Sequence, residues 1–232
     1  MNTFSPTEAI KFGWKSFKDN PGFLIGVIII VYVIQIVVSL IISAIPNNSS
    51  SGAALSFLVS LISNAVSLVI SLGLINALLK FVNIGKGNFA DIFSELTNFN
   101  LLVNYIIGSV LVGLIVIAGF ILLIIPGIYF AIRLSQFPYF IVDKNFGGIE
   151  AIKASWNATK GNVMNLIVFG LLSFGVVILG FIALIVGLLA AIPVVSVAAI
   201  YVYKMLSQQQ VAAAPAAQVA QPETPPAAPT AT

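Results

Sequence analysis

Apolar runs of unusual length alternate with short polar stretches along this 232-residue chain. The runs cover 22–45, 53–79, 101–142 and 163–203. A helix needs about 20 apolar residues to cross a hydrocarbon layer about 30 Å thick. The first two runs therefore predict one span each, and the last two, each twice that length, predict two. The expected spans are 22–45, 53–79, 101–125, 127–142, 163–186 and 188–204. Pro126-Gly127 supplies the reversal in the third run, and Gly187, with Pro193 as a rival, supplies it in the fourth. The predicted fold is all-α, a polytopic transmembrane bundle of about six spans.

The polar stretches carry their own pattern. Ser5-Pro6-Thr7-Glu8 reads as a capping box with proline at the first helical position, so 1–21 is expected to hold a short helix ending near Asn20-Pro21-Gly22. On it Ile10, Trp14 and Phe17 share a face, and Lys11, Lys15 and Lys18 follow the same spacing one residue on. That is the pattern of an amphipathic helix lying at a lipid interface. Phe89, Ile92, Phe93 and Leu96, with Asn88 as cap, predict a second such helix. Gly85-Lys86-Gly87 lacks the remaining residues of a phosphate loop and reads as a turn. The domain plan is an N-terminal amphipathic helix (1–21), a membrane domain (22–206) and an Ala/Pro-rich tail (207–232), whose composition predicts disorder.

Charge orients this plan. Only 7% of residues are charged, where a soluble domain carries roughly 25%. All nine lysines lie outside the apolar runs, and six crossings would put every one on one face. The bias of lysine toward cytoplasmic loops then predicts a multi-pass cell-membrane protein with both termini in the cytoplasm. The net charge of +3 gives no reason to expect nucleic acid. With neither cysteine nor histidine in the chain, no metal, cofactor or redox chemistry is expected. The acids lie in the polar stretches and none sits at membrane depth, which speaks against proton coupling and against an enzyme.

Two features inside the runs are candidate sites. Ser56, Ser60, Ser63, Ser67 and Ser71 draw a stripe along the second span, either a helix-packing seam or the lining of a polar path. Arg133 is the only charge within a run. It either snorkels or bonds carbonyls freed by the proline break, or it holds an anionic group such as a lipid phosphate. Together with Lys11, Lys15, Lys18, Lys153 and Lys160 it makes up the expected contact with anionic lipid; a protein partner is the other expected contact.

Residues 8–20 reappear as 150–162, with seven of thirteen positions identical: Glu8, Ala9, Ile10, Lys11, Trp14, Lys18 and Asn20 match Glu150, Ala151, Ile152, Lys153, Trp156, Lys160 and Asn162. Composition alone gives roughly one, so an internal repeat of two units running in the same direction is expected. The stretch Ile125-Pro126-Gly127 to Leu134, with Pro138 to Asp143 and the second copy of the repeat, resembles a broad prokaryotic family of uncharacterised multi-span membrane proteins. That family is similar to the membrane domain attached to some glycerophosphodiester phosphodiesterases. The resemblance implies a helical membrane domain without the catalytic domain of those fusions. The expected function is a non-enzymatic scaffold or lipid-binding membrane protein, with a transporter or lipid translocator as the alternative.

Overall fold

The computed structural model describes residues 4–43, 52–94 and 98–219, with side chains given except at 52–56, 184–186 and 210–219. Every regular element among them is helical. In order they are α1 (Pro6–Asp19), α2 (Pro21–Ser43), α3 (Gly52–Ile84), a 3-10 turn (Phe89–Ile92), α4 (Phe99–Leu122), α5 (Ile124–Leu134), α6 (Phe137–Lys144), α7 (Gly148–Ala158), α8 (Val163–Ile182) and α9 (Leu184–Val219).

Five helices are long and apolar enough to cross a membrane: Pro21–Ser43, Phe57–Ile84, Phe99–Leu122, Val163–Ile182 and Gly187–Gln209. Their outer surfaces carry side chains that no water-soluble fold would leave bare. Ile121 is 81% exposed and Phe181 72%. Only lipid can take up apolar area on that scale. The protein is a multi-pass membrane protein.

The sixth expected span, 127–142, is not one helix. α5 and α6 have 11 and 8 residues. At 1.5 Å per residue they reach about 16 and 12 Å, too short for either to cross alone. The helix stops at Ser135–Gln136 because Pro138 has no N–H for the Leu134 carbonyl and its ring clashes with that carbonyl. The reversal before α5 falls at Leu123, three residues ahead of the expected Pro126-Gly127. Pro126 sits in the first turn of α5, where a missing N–H costs nothing. Gly127 earns its place differently, since a Cβ there would run into the Phe120 ring.

Other boundaries also moved. The last reversal falls at Ala183, ahead of Gly187, and Pro193 lies inside α9. α9 continues to Val219, so 207–219 is helical where disorder was expected, as suits an Ala-rich extension of an existing helix. Ser207 is buried, and residues 220–232 lie outside the described part. The helix expected after Asn88 is a single 3-10 turn. Asn88 does cap it, its side chain accepting the Ala90 N–H at 3.0 Å, while Leu96 lies outside the described residues.

Packing follows from small residues. α1 begins as its capping box dictates, with Ser5 Oγ accepting the Glu8 N–H. It then lies along α9 and against α8 with Ala9 and Gly13 fully in the contact. A Cβ on Gly13 would meet the Val194 carbonyl. α4 pairs with α5, α8 with α9 and α2 with α3, while α7 packs on α4 and α6. The core between them holds Leu24, Leu72, Phe81, Ile141, Val197 and Tyr203.

Gly148 is where α7 touches α4: a Cβ there would sit 2.7 Å from the Asn104 carbonyl oxygen and 2.8 Å from the Gly108 nitrogen. Neither obstacle is a side chain that can turn away. Gly148→Ala is therefore expected to destabilise the fold by roughly 1–3 kcal/mol. A lowered melting temperature in detergent checks it, with Gly22→Ala, whose Cβ meets nothing within 4 Å, as the neutral control.

Candidate functional site

The break at Ser135–Gln136 is repaired by α7. Ser155 Oγ donates to the Arg133 carbonyl at 2.9 Å and accepts the Gln136 N–H at 3.2 Å, and Thr159 Oγ1 lies 3.1 Å from the same carbonyl. Ser155 and Thr159 are wholly buried. They take up the backbone groups that a continuous helix would have paired.

Arg133 returns the contact. Its guanidinium donates to the Trp156 carbonyl at 2.6 Å, in the last turn of α7, where carbonyls without helical partners carry partial negative charge. The guanidinium carbon also lies 4.0 Å from the Trp156 ring centre and 5.7 Å from that of Tyr129. At 5% exposure it does not snorkel. The freed carbonyls at Pro126 are not its partners, and neither are the polar groups of α3. Its Nε has no hydrogen-bond partner among the described residues.

Two further polar clusters tie helix ends together. Asp143, at the end of α6, accepts from Tyr203 at 2.8 Å and Lys204 at 3.2 Å on α9, and pairs with its neighbour Lys144 at 3.4 Å. Burial alone would raise the Asp143 carboxyl, but the hydrogen bonds from Tyr203 and Lys204 and the charges of Lys204 and Lys144 outweigh it and hold it below the usual range. Lys80 pairs with Asp91 at 3.1 Å, while Asn76 donates to the Asp91 carbonyl and to Ser94. These lysines are structural.

The lysines of the repeat differ. Lys11, Lys15, Lys18, Lys153 and Lys160 all lie on exposed faces, and no ion pair engages them among the described residues. The two copies match in burial as well: Ala9 and Ala151 are buried, as are Gly13 and Ser155, while Lys11 and Lys153 are exposed. Trp14 is 48% exposed beside its lysines. α1 therefore presents three exposed lysines on a helix backed by a packed face, while α7 carries Lys153 beside Glu150 and Lys160 follows it in the next turn.

The described serines of the stripe bond mainly within their own helix. Ser63, Ser67 and Ser71 donate to the carbonyls of Val59, Ser63 and Ser67, four residues back on the same helix. Ser60 is exposed, and the Ser56 side chain lies outside the described ones. Hydroxyls bonded in this way are satisfied without a neighbour. Composition and spacing singled out Ser56 to Ser71, and passed over Ser155, whose hydroxyl bonds across a helix contact. A proline four residues after Leu134 was the available signal that some side chain must serve the broken backbone there.

The chain resembles uncharacterised mycobacterial proteins. It is 29% identical to one from Mycobacterium bovis over 171 residues, which are 73% of this chain and 51% of that protein. It is 33% identical to one from Mycobacterium tuberculosis over 126 residues, 51% of this chain and 39% of that protein. The chain thus spans about half the length of these relatives or less, and none of them is described as a phosphodiesterase. No protein-family model matches the chain, and no solved structure matches it.

Ser155→Ala strands the buried Gln136 N–H and removes one donor from the Arg133 carbonyl. The expected loss is about 1–3 kcal/mol. Arg133→Leu is expected to cost more than Arg133→Lys, because lysine keeps the charge at the end of α7 but not the planar stack on Trp156. Thermal unfolding of the three variants in one detergent orders them. Equal melting temperatures for wild type and Arg133→Leu would show that the guanidinium does not hold α7.

Proposed function

We propose that this is a non-enzymatic cell-membrane protein that holds anionic lipid headgroups at the lysines of α1 and of residues 153–160, with both termini on the cytoplasmic side. The observation that carries this reading is the division among the lysines. Lys80, Lys144 and Lys204 neutralise Asp91 and Asp143, whereas Lys11, Lys15 and Lys18 of α1, Lys153 of α7 and Lys160 just after it, like Lys86 in the turn after α3, are exposed and in no ion pair among the described residues. A desolvated charge is kept when it is paired, and an exposed row of like charge attracts an anionic surface. Trp14 supplies the interfacial aromatic that accompanies such rows.

The repeat supports the same reading at two positions, because Lys11 and Lys18 recur as Lys153 and Lys160 and all four are exposed, while Lys15 is replaced by Asn157. The acids support it too: Asp91 and Asp143 are already engaged by lysine and hydroxyl groups, leaving neither poised as a general base.

One observation favours a second reading, a transporter or lipid translocator. A cavity of ≈ 260 Å³ lies between α3, α6 and α9, bordered by Leu78, Tyr139, Ser196 and Ile200. Its wall from α3 is apolar, and the serine stripe does not line it.

The test is retention of lipid by the purified full chain, read by native mass spectrometry after mixing with vesicles of phosphatidylglycerol and phosphatidylcholine. Each lysine near an anionic surface contributes about 1 kcal/mol, roughly fivefold in binding. Replacing Lys11, Lys15 and Lys18 together by Gln should therefore lower phosphatidylglycerol retention many-fold, weaken its salt dependence and leave phosphatidylcholine unchanged. Equal phosphatidylglycerol retention by variant and wild type would remove the proposal.

A further inference from the structure

Three cavities follow one another along α4, the first beside the end of α6 and the other two on the seam with α7, each sharing one lining residue with the next, and their linings change character from one end to the other. The first, ≈ 380 Å³, is bordered by four asparagines, Asn98, Asn100, Asn104 and Asn145, with the ring of Phe146. The second, ≈ 450 Å³, shares Asn104 and adds Ile107, Ile149, Glu150 and Lys153. The third, ≈ 280 Å³, shares Lys153 and is otherwise mainly apolar, walled by Ile115, Phe130, Leu134 and Trp156.

The polar end lies between the start of α4 and the turn after α6. Asn145 stands at φ 54°, the left-handed residue that ends α6, and turns the chain so that Phe146 stacks on Phe140 with the rings 8° from parallel. Asn98 spends its side-chain oxygen on the Leu101 N–H, capping α4. Among the described residues no hydrogen bond engages the amides of Asn100, Asn104 or Asn145. Asn104 is half-buried in the second turn of a membrane-length helix, while Asn100 and Asn145 are exposed, so all three amides remain open to a ligand.

We propose that this groove binds a single anionic phospholipid with a polyhydroxyl headgroup: hydroxyls among the asparagines, phosphate at Lys153 and one acyl chain against Ile115, Phe130 and Trp156. A carboxamide offers both a donor and an acceptor, as a hydroxyl does, so converging amides beside an aromatic ring suit a neutral polyol and give no counter-charge to an ionic headgroup. Glu150 adds an acceptor for a hydroxyl on the same wall. Lys153 is the point charge in the middle, one phosphate's worth. From Asn104 to Ile115 is eleven residues of α4, about 16 Å, room for a headgroup and the first part of a chain. The inference rests on the lipid-binding reading above and narrows it to one lipid class.

Phosphatidylinositol and phosphatidylserine carry the same net charge and differ in the headgroup, so the full chain in detergent is offered each in turn. Phosphatidylinositol should be retained over phosphatidylserine by about fivefold or more, the scale of a net hydrogen bond or two. Asn100→Ala with Asn145→Gly, both at exposed positions and the glycine keeping the left-handed turn, should bring that ratio to about one without changing phosphatidylserine. The triple Gln variant at Lys11, Lys15 and Lys18 should lower both lipids and leave the ratio alone. Free inositol phosphate should fail to displace the lipid, because it lacks the chain.

A ratio of one in wild type with binding still salt-sensitive overturns the groove and leaves the charge-driven reading standing. Retention of neither lipid overturns both. A preference that survives the asparagine changes, or displacement by the free headgroup, overturns the assignment of this groove to a polyol lipid.

Discussion

A helix interrupted inside a membrane protein has no water to repair it. Arg133 and Gln136 are buried, and the carbonyl of one or the N–H of the other would each cost about 1–3 kcal/mol if left unpaired there. Ser155 and Thr159 meet them from α7, and the Arg133 side chain caps α7 in exchange. The location of α7 follows from that exchange. With its C-terminal turn held at the break and Gly148 pressed onto α4, its remaining face can only point outward, which is where Glu150, Lys153 and Asn157 stand.

The same economy of contact recurs where the other short segments meet long helices. Gly13 of α1 lies against the Val194 carbonyl of α9, and Gly73 of α3 lies against the Ile92 carbonyl of the 3-10 turn. Small residues let backbones approach, and in lipid that packing replaces the hydrophobic driving force available in water. The outward halves of α2 and α3 make fewer such contacts; Leu40 and Ile41 are exposed there, and lipid is their natural neighbour.

Runs of apolar residues announced the long helices because length and hydropathy alone decide that property, and Ser5 with Glu8 announced the start of α1 because a cap is local. The break in 127–142 was hidden for the opposite reason. Ser135-Gln136 is an unremarkable pair, and whether Pro138 ends a helix or merely kinks it depends on residues twenty positions away that can satisfy the opened backbone. Arg133 was legible as an anomaly, but its partner, a carbonyl, is a group every residue possesses. The asparagines around Asn104 passed unnoticed because they come from two separated segments, 98–104 and 145, and only the fold gathers them.

α1 finds its place on α8 and α9, far from it along the sequence. Its Ala9 and Gly13 face completes its contacts only once those distant residues have been made and inserted. Until then this helix stays uncommitted. Its seating ties two remote stretches of the chain together, so that the inserted segments hold as one body through a contact that no neighbouring pair of helices supplies.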